Sequence, residues 1–458
     1  MSEFVLLLVI LIEGFVTISA EILTIRQLLP VVGNSVIVTS LIIGVFLLFL
    51  AYGYRRGGQY QQGYVAILKK NFIKSALWLG VGLSHAFIDL FFYLCQRYIS
   101  GEPLIALSLY LLLTTAPLVY ILGQTVPITM NLSKGIKVGE VGGRILHLST
   151  LGSFLGSVLT SLLLMNYVGV AWTVVFNFSL LMLLFFILFS KKKADFRGAL
   201  ILGLALYFVY SLNISMEKNL FVKTNAYADY QILKDGENNK ILMINKSLSS
   251  LLAPDKKGFN YIEFIKRILF EDLKLRDKDI LVLGAGGFTL SASGSHGNHF
   301  IYVDIDHDIE AIVKKHFLNS IKGEFIASDA RAFLTSTQKK FDVIVSDAYS
   351  HQRSIPAHLL TQEYLIEIKQ ALNPSGIALL NMIARPTLED AFSKQVDNTI
   401  RSVFNSCMVV PEKYTYEASN IMYICRNDAQ GLSHRWQIYT DNLNRITLDF
   451  LKSTVHHP

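Results

Sequence analysis

The sequence predicts a multi-span α-helical membrane domain fused to an α/β domain with a small leading β-sheet. Three observations carry that expectation. Seven apolar stretches of membrane-crossing length occupy the first 214 positions. From Ala226 onwards, short β-branched runs alternate with helical periodicity, the pattern of a parallel sheet. The run 279–283 leads into Gly284, Ala285, Gly286 and Gly287, and the next run ends on Asp304, twenty residues after Gly284.

The spans are expected at 4–25, 35–54, 75–95, 103–122, 145–167, 170–189 and 198–214, the last being the shortest. Basic residues mark the connections after the second, fourth and sixth: Arg55, Arg56, Lys69 and Lys70; Lys134, Lys137 and Arg144; Lys191 to Lys193 and Arg197. The alternate connections are nearly free of charge, so the amino terminus and the even connections are expected in the cytoplasm of a cell (inner) membrane. Seven full crossings would leave everything after position 214 outside, whereas a re-entrant or interfacial seventh segment would leave it inside; both remain open. No cleavable signal peptide is expected, because the first apolar run lacks a basic leader and contains Glu13 and Glu21.

Charge follows the same division. Of 42 Lys+Arg, 14 precede residue 214, against 7 of the 35 Asp+Glu, so the whole excess of +7 sits in the apolar half. Such charge reports loops at a lipid bilayer and argues against a nucleic-acid partner. Within the spans, Glu13, Glu21, Arg26, His85 and Asp89 must face protein or water. His85 and Asp89 share a helix face at four-residue spacing, as a proton relay or ligand site would; pairing between helices is the simpler role for the set, with Arg26 neutralising a glutamate. Gly152 and Gly156 read as a close-packing pair. Three cysteines exclude a disulfide scaffold and a cysteine zinc cluster, and no metal is expected. Cys407 and Cys425 end short runs that pair as a hairpin, and read more simply as small core residues than as a disulfide.

In the second half, 227–233 and 240–245 flank the turn formers Asp235 and Gly236 and read as a small antiparallel sheet, followed by an amphipathic helix at 259–270. Parallel strands are expected at 279–283, 300–304, 324–327, 342–346 and 376–382, with a helix from about 355 to Pro374. Domain limits are therefore 1–214, 215–258 and 259–458.

In such a sheet the carboxyl ends of the strands line the ligand crevice. Asp304 falls there, placed for ribose hydroxyls. Asp329, followed by Ala330, is placed for an adenine amino group, and Asp347 beside a reacting centre. Gly284, Gly286 and Gly287 let the backbone approach the ligand. A dinucleotide enzyme fits less well, because Phe288, Thr289 and Leu290 follow the loop where a third glycine would let a helix meet a pyrophosphate.

From 225 to roughly 383 the chain resembles the catalytic domain of spermidine synthases, the polyamine aminopropyltransferases, behind a multi-span region as in the membrane-fused members. The resemblance rests on Gln231, on Tyr261 and Glu263, and on the loop Gly284 to Phe288. It continues through Val303-Asp304-Ile305-Asp306, Asp329-Ala330, Phe341 to Asp347 and Ile355-Pro356-Ala357. It implies a Rossmann-like, class I methyltransferase-type domain that takes decarboxylated S-adenosylmethionine, or S-adenosylmethionine itself, as co-substrate, with a small amine as acceptor. A homodimer is implied as well. Asp347 and Tyr261 are the catalytic candidates; Gln231, Gly284, Gly286, Gly287, Asp304, Asp329 and Ala330 the donor-binding ones; Glu263, Ser350 and His351 the acceptor-binding ones.

Three departures stand out. Gly287 replaces the aspartate of the family's Gly-Asp-Gly, Ser350 replaces the second aspartate of Asp-x-x-Asp, and Ile262 replaces a histidine. Losing two carboxylates weakens the attraction for polyammonium ligands. Two other readings follow: a methyltransferase acting on a lipid or membrane-delivered substrate, and a non-enzymatic polyamine transporter or sensor. His351, Arg353 and His358 lie just past Asp347 and offer a substitute base, although solvated loop residues are the simpler reading.

Overall fold

The computed structural model describes residues 2–33, 36–99, 102–133, 138–348, 356–427 and 435–455. The chain divides into two compact units, Met1–Ala228 and Asp229–Pro458.

The first unit is helical. Among the described residues, six helices are long and apolar enough to cross a membrane: Glu3–Val32, Val36–Gly58, Pro103–Leu132, Val138–Val168, Val170–Ile187 and Lys193–Leu220. The expected span 75–95 is instead two helices, Tyr64–Gly82 and His85–Tyr98, bent by 68°. The break frees backbone carbonyls, which must be satisfied in an apolar setting. Tyr110 Oη donates to the Gly82 carbonyl at 2.6 Å and Gln27 Nε2 to that of Leu83 at 2.5 Å. The hydroxyl of Ser84 then caps the second helix, accepting from Phe87 N at 3.2 Å.

The segment expected at 198–214 is a 28-residue helix, because charged ends that hydropathy discounts are tied into the bundle. Lys69 Nζ meets Asp195 Oδ1 at 2.6 Å in its first turn. Gly152 and Gly156 do bring two helices together: a Cβ at either would strike the carbonyl of Leu11 or Phe15. His85 faces Glu217 across 3.6 Å. Large apolar side chains such as Leu113, Leu162, Leu200, Leu204 and Tyr207 cover the outside of this unit.

β1 (Lys223–Thr224) lies near the end of the first unit. In the second, β2 (Asp229–Lys234), β3 (Lys240–Ile244) and β4 (Ser247–Leu252) pair as an antiparallel meander. The Asp235 carboxylate forms the first turn, accepting from Glu237 N and Asn239 N at 2.9 Å each. β4 escapes sequence reading because Ser-Leu-Ser-Ser-Leu-Leu lacks period-two alternation.

The main sheet comprises β5 (Asp279–Leu283), β6 (His299–Asp304), β7 (Glu324–Ala327), β8 (Phe341–Ser346), β9 (Leu372–Ala384), β10 (Cys407–Pro411) and β11 (Ser419–Arg426), in the order β10-β11-β9-β8-β5-β6-β7. β5 to β9 run parallel, and β11 is antiparallel to both β9 and β10. This is a Rossmann-like, methyltransferase-type sheet, mixed where the sequence suggested only a parallel one. The helix expected from about 355 begins at Gln362, capped by Thr361, and ends at Ala371. β9 starts four residues earlier than expected and includes Pro374 and Gly376. The chain leaves β5 towards β6 and β7, then returns to lay β8 on the other side of β5. That reversal opens a crevice at the carboxyl ends of β5 and β8.

The reading of Cys407 and Cys425 as separate core residues is overturned. Antiparallel pairing sets them directly opposite each other, and the two sulfurs form a disulfide.

Candidate active site

The crevice is a cavity of about 360 Å³ in the second unit, within the range of small-ligand sites. Its lining includes Gly284, Asp304, Asp329, Asp347, Tyr261 and Glu412. The site residues expected on three different strands are thus brought to one hollow.

At one end, the glycine loop follows from strand geometry. Gly284 has φ +92°, and a Cβ there would collide with the carbonyl of Asp347. Asp347 N donates in turn to the Leu283 carbonyl at 2.9 Å, fastening the ends of β5 and β8 together. Asp304 is held by two backbone donors: Ala285 N to Oδ2 at 3.0 Å and Asp306 N to Oδ1 at 3.1 Å. Each carboxylate oxygen keeps a lone pair for a diol. Burial raises the Asp304 pKa, and the backbone bonds partly offset it. Asp306 is braced by Tyr230, whose hydroxyl donates to Oδ2 at 2.6 Å.

Gly287 differs from its neighbours in what surrounds it. Its N–H donates to Ser250 Oγ at 2.8 Å, and a Cβ would lie 2.5 Å from the Phe317 ring and 2.8 Å from Ser250 Cβ. No carboxylate fits there.

Asp329 lines the cavity but has a structural duty as well. It caps the helix Ala330–Ser336, with Oδ1 accepting from Arg331 N at 2.9 Å and Ala332 N at 3.0 Å. His358 Nε2 stands 3.5 Å from its other oxygen. Ala330 is buried beside it.

At the other end stands Asp347. Asn381 Nδ2 donates to Oδ1 at 2.8 Å and Tyr261 Oη to Oδ2 at 3.1 Å. Burial pushes its pKa up to about 6, with these two hydrogen bonds pulling the other way. Tyr261 reaches it from the helix Asn260–Arg267, whose amphipathic face packs Ile262 and Ile265 inward.

Three expected residues sit elsewhere: Gly287, turned to Ser250 and Phe317 and absent from the cavity lining, Glu263 and Gln231. Glu263 Oε1 accepts from Gly258 N and Lys266 Nζ, both at 2.7 Å, and is absent from the cavity lining. Gln231 is half-buried on β2, also away from the lining. Ser350, His351 and Arg353 lie outside the described residues.

Three contributors escaped sequence reading. Asn381 lies inside an apolar strand, and a polar residue there was the available signal. Ser250 sits on the unrecognised β4. Glu412 follows β10 and carries no motif; its Oε2 accepts from Asn420 Nδ2 at 3.1 Å, which turns it towards the rim.

This geometry agrees with what the chain is similar to. Residues 259–429 match the spermine/spermidine synthase domain. Over those residues the second unit is similar to the spermidine synthase family. Polyamine aminopropyltransferase 2 of Hyperthermus butylicus is 30% identical over 138 residues, covering 28% of this chain and 45% of that one. The polyamine aminopropyltransferase of Vibrio vulnificus is 32% identical over 133 residues, covering 27% and 43%. This chain therefore spans under half the length of those relatives. A crystal structure of a probable spermidine synthase from Corynebacterium glutamicum aligns over 44% of this chain and 78% of its own, at 18% identity and a TM-score of 0.39.

Proposed function

We propose that the second unit transfers an aminopropyl group from decarboxylated S-adenosylmethionine to a small amine, and that the helical unit inserts it in a bilayer. The observation that carries the transferase reading is Asp347, a partly buried carboxylate held by Tyr261 and Asn381 in the hollow that Asp304 lines. An adenosyl group suits the opposite end, where Asp304 keeps lone pairs towards the cavity and Gly284 and Gly286 line it without side chains. Bilayer insertion is supported by the length of the helices and their exposed apolar side chains.

The chemistry asks for positioning more than activation, since a sulfonium is already a good leaving group. The amine nitrogen forms a bond to the carbon beside sulfur, the carbon–sulfur bond breaks towards the thioether, and the ammonium proton must leave. Asp347 is placed to orient the amine and to accept that proton directly or through water. With a pKa of about 6 it is mostly ionised at neutral pH yet basic enough to take a proton. Tyr261 and Asn381 aim it by donating to opposite oxygens.

Gly287 favours a second reading. The space beside it is closed to any carboxylate, so no aspartate from this position meets a cationic donor tail. S-adenosylmethionine, whose tail carries its own carboxylate, loses less by that absence, and methyl transfer then becomes the reaction. Full-length protein purified in detergent separates the two readings. Under the aminopropyl reading, methylthioadenosine binds, decarboxylated donor with putrescine or spermidine yields a longer polyamine, and intact donor yields no methylated product. Methylation with the intact donor alone replaces that reading, and the absence of any adenosyl binding removes both.

A further inference from the structure

The helical unit has two chemically different ends, between which its long apolar helices run. At one end Lys69, near the start of Tyr64–Gly82, meets Asp195 at the start of Lys193–Leu220 and Ser190 beyond Val170–Ile187, with Nζ to Asp195 Oδ1 at 2.6 Å and to Ser190 Oγ at 3.1 Å. Arg144, near the start of Val138–Val168, pairs there with Glu3 at the chain's beginning. Tyr60, just past Val36–Gly58, reaches Gln124 on Pro103–Leu132 at 3.2 Å. These are the connections that carry the basic runs.

At the other end the partners are the opposite termini of the same helices. Arg26 Nε donates to the Asn225 carbonyl at 2.7 Å, joining the end of the first helix to the stretch after the last. Glu217 Oε2 accepts from Ala171 N and Thr224 Oγ1, both at 2.9 Å, so the seventh helix ends beside the turn between the fifth and sixth. Ala226 N reaches Asn166 Oδ1 at 3.4 Å, at the close of Val138–Val168. Gln27 meets Leu83 where the third segment bends. The helix Lys193–Leu220 therefore traverses the unit completely, its first turn at the basic end and its last at the other. At 1.5 Å per residue, 28 residues span roughly 40 Å, more than the ~30 Å apolar core. In a bilayer, a helix of this length tied at both ends crosses completely and does not re-enter.

Basic residues collect at the cytoplasmic ends of membrane helices. The chain leaves this unit at the end without the basic runs. An independent observation in the second unit agrees: two of the chain's three cysteines, Cys407 and Cys425, form a disulfide, a bond that persists in oxidising compartments and is rare in the cytosol.

Resting on the bilayer reading above, we infer that Asp229–Pro458, with its adenosyl-type site, lies on the extracytoplasmic side of the membrane. The acceptors are then amines of that compartment. An adenosyl sulfonium is a fixed cation that does not diffuse through lipid, so a transport step must supply the donor. The parity of the helices and the disulfide point the same way without depending on each other.

The test uses the full chain in a bacterial host, fused at its carboxyl terminus to alkaline phosphatase or to green fluorescent protein. Membrane-bound, active phosphatase and a dark fluorescent fusion are expected; a bright fluorescent fusion with inactive phosphatase overturns the assignment. On the unfused chain, Cys407 and Cys425 should resist maleimide until reductant is added to intact cells. A cysteine in place of Lys192 (Lys192→Cys) should label only after permeabilisation. Free thiols at 407 and 425 in intact cells, or labelling at 192 from outside, also overturn it. Recovery of the chain in the soluble fraction overturns the bilayer reading itself. Adenosyl binding in detergent is independent of sidedness, so failure of the transferase reading would show there and not in the fusions.

Discussion

The two ends of the cavity supply charge in different ways. Asp304 is gripped by two backbone N–H groups fixed by the strand-to-loop geometry, so its position is a consequence of the fold. Asp347 is gripped by two side chains from separate elements, Tyr261 on a helix and Asn381 on β9, so its position depends on tertiary packing. The backbone-held end suits a ligand that must always bind the same way. The side-chain-held end can be retuned by single substitutions, and Ile262, one of the replacements that set this chain apart from the spermidine synthases it resembles, lines the same cavity.

The largest effect expected from breaking this contrast is Asp347→Asn. It should lower kcat by about 10²- to 10⁴-fold while leaving methylthioadenosine affinity unchanged, as steady-state kinetics beside calorimetry would show. An equal loss of binding would mean that the two ends are not separate. Asp304→Ala should do the reverse, weakening methylthioadenosine by about 10- to 100-fold through loss of a charged hydrogen-bond acceptor.

Gly287→Asp sharpens the comparison from the donor end. Restoring the family's residue should not tighten donor binding, because the side chain has no room beside Phe317 and Ser250. Overpacking should instead cost ~1–3 kcal/mol in chemical denaturation of the second unit.

The smallest effects concern pH. A base with a pKa of about 6 must be ionised to act, so kcat should rise with pH through about 6 and level off above it. Tyr261→Phe removes a bond that stabilises the ionised form and should move that limb upward. Stability carries the same signature with its sign fixed by burial. The folded pKa lies above the unfolded value of 3.8, so Asp347 favours folding only while protonated and opposes it as pH rises through about 6. Asp347→Asn should therefore be more stable than the parent by ~1–3 kcal/mol at pH 8, the upper figure discounted for solvent in the cavity, and this difference should vanish below pH 4.

What was legible in the sequence follows the same line as the two ends of the cavity. The glycine loop and Asp304 are read from spacing, because local backbone geometry fixes where they go; Asp347 is found at its strand end in the same way, although the partners that aim it are long-range. The family's Gln231 and Glu263 occupy the expected positions in sequence, yet Glu263 answers to Lys266 and Gly258 N, partners that no spacing announces. Asn381 and Glu412 reach the site only through the pairing of β9, β10 and β11, which is long-range. Cys407 and Cys425 show the limit most plainly: their hairpin was foreseen, but their bond depends on an exact cross-strand register. In the helical unit, hydropathy located most of the long apolar helices and misjudged their ends, since Lys193 and Asp195 are helical through contacts that composition does not reveal.

The most direct test is calorimetric titration of the purified full-length protein with methylthioadenosine, alongside Asp304→Ala. Saturable heat from the parent at one site per chain, lost or strongly weakened in the variant while the variant keeps the parent's circular dichroism spectrum, is the predicted result. A folded parent that gives no heat, or a variant that binds as tightly as the parent, would contradict an adenosyl site built on Asp304.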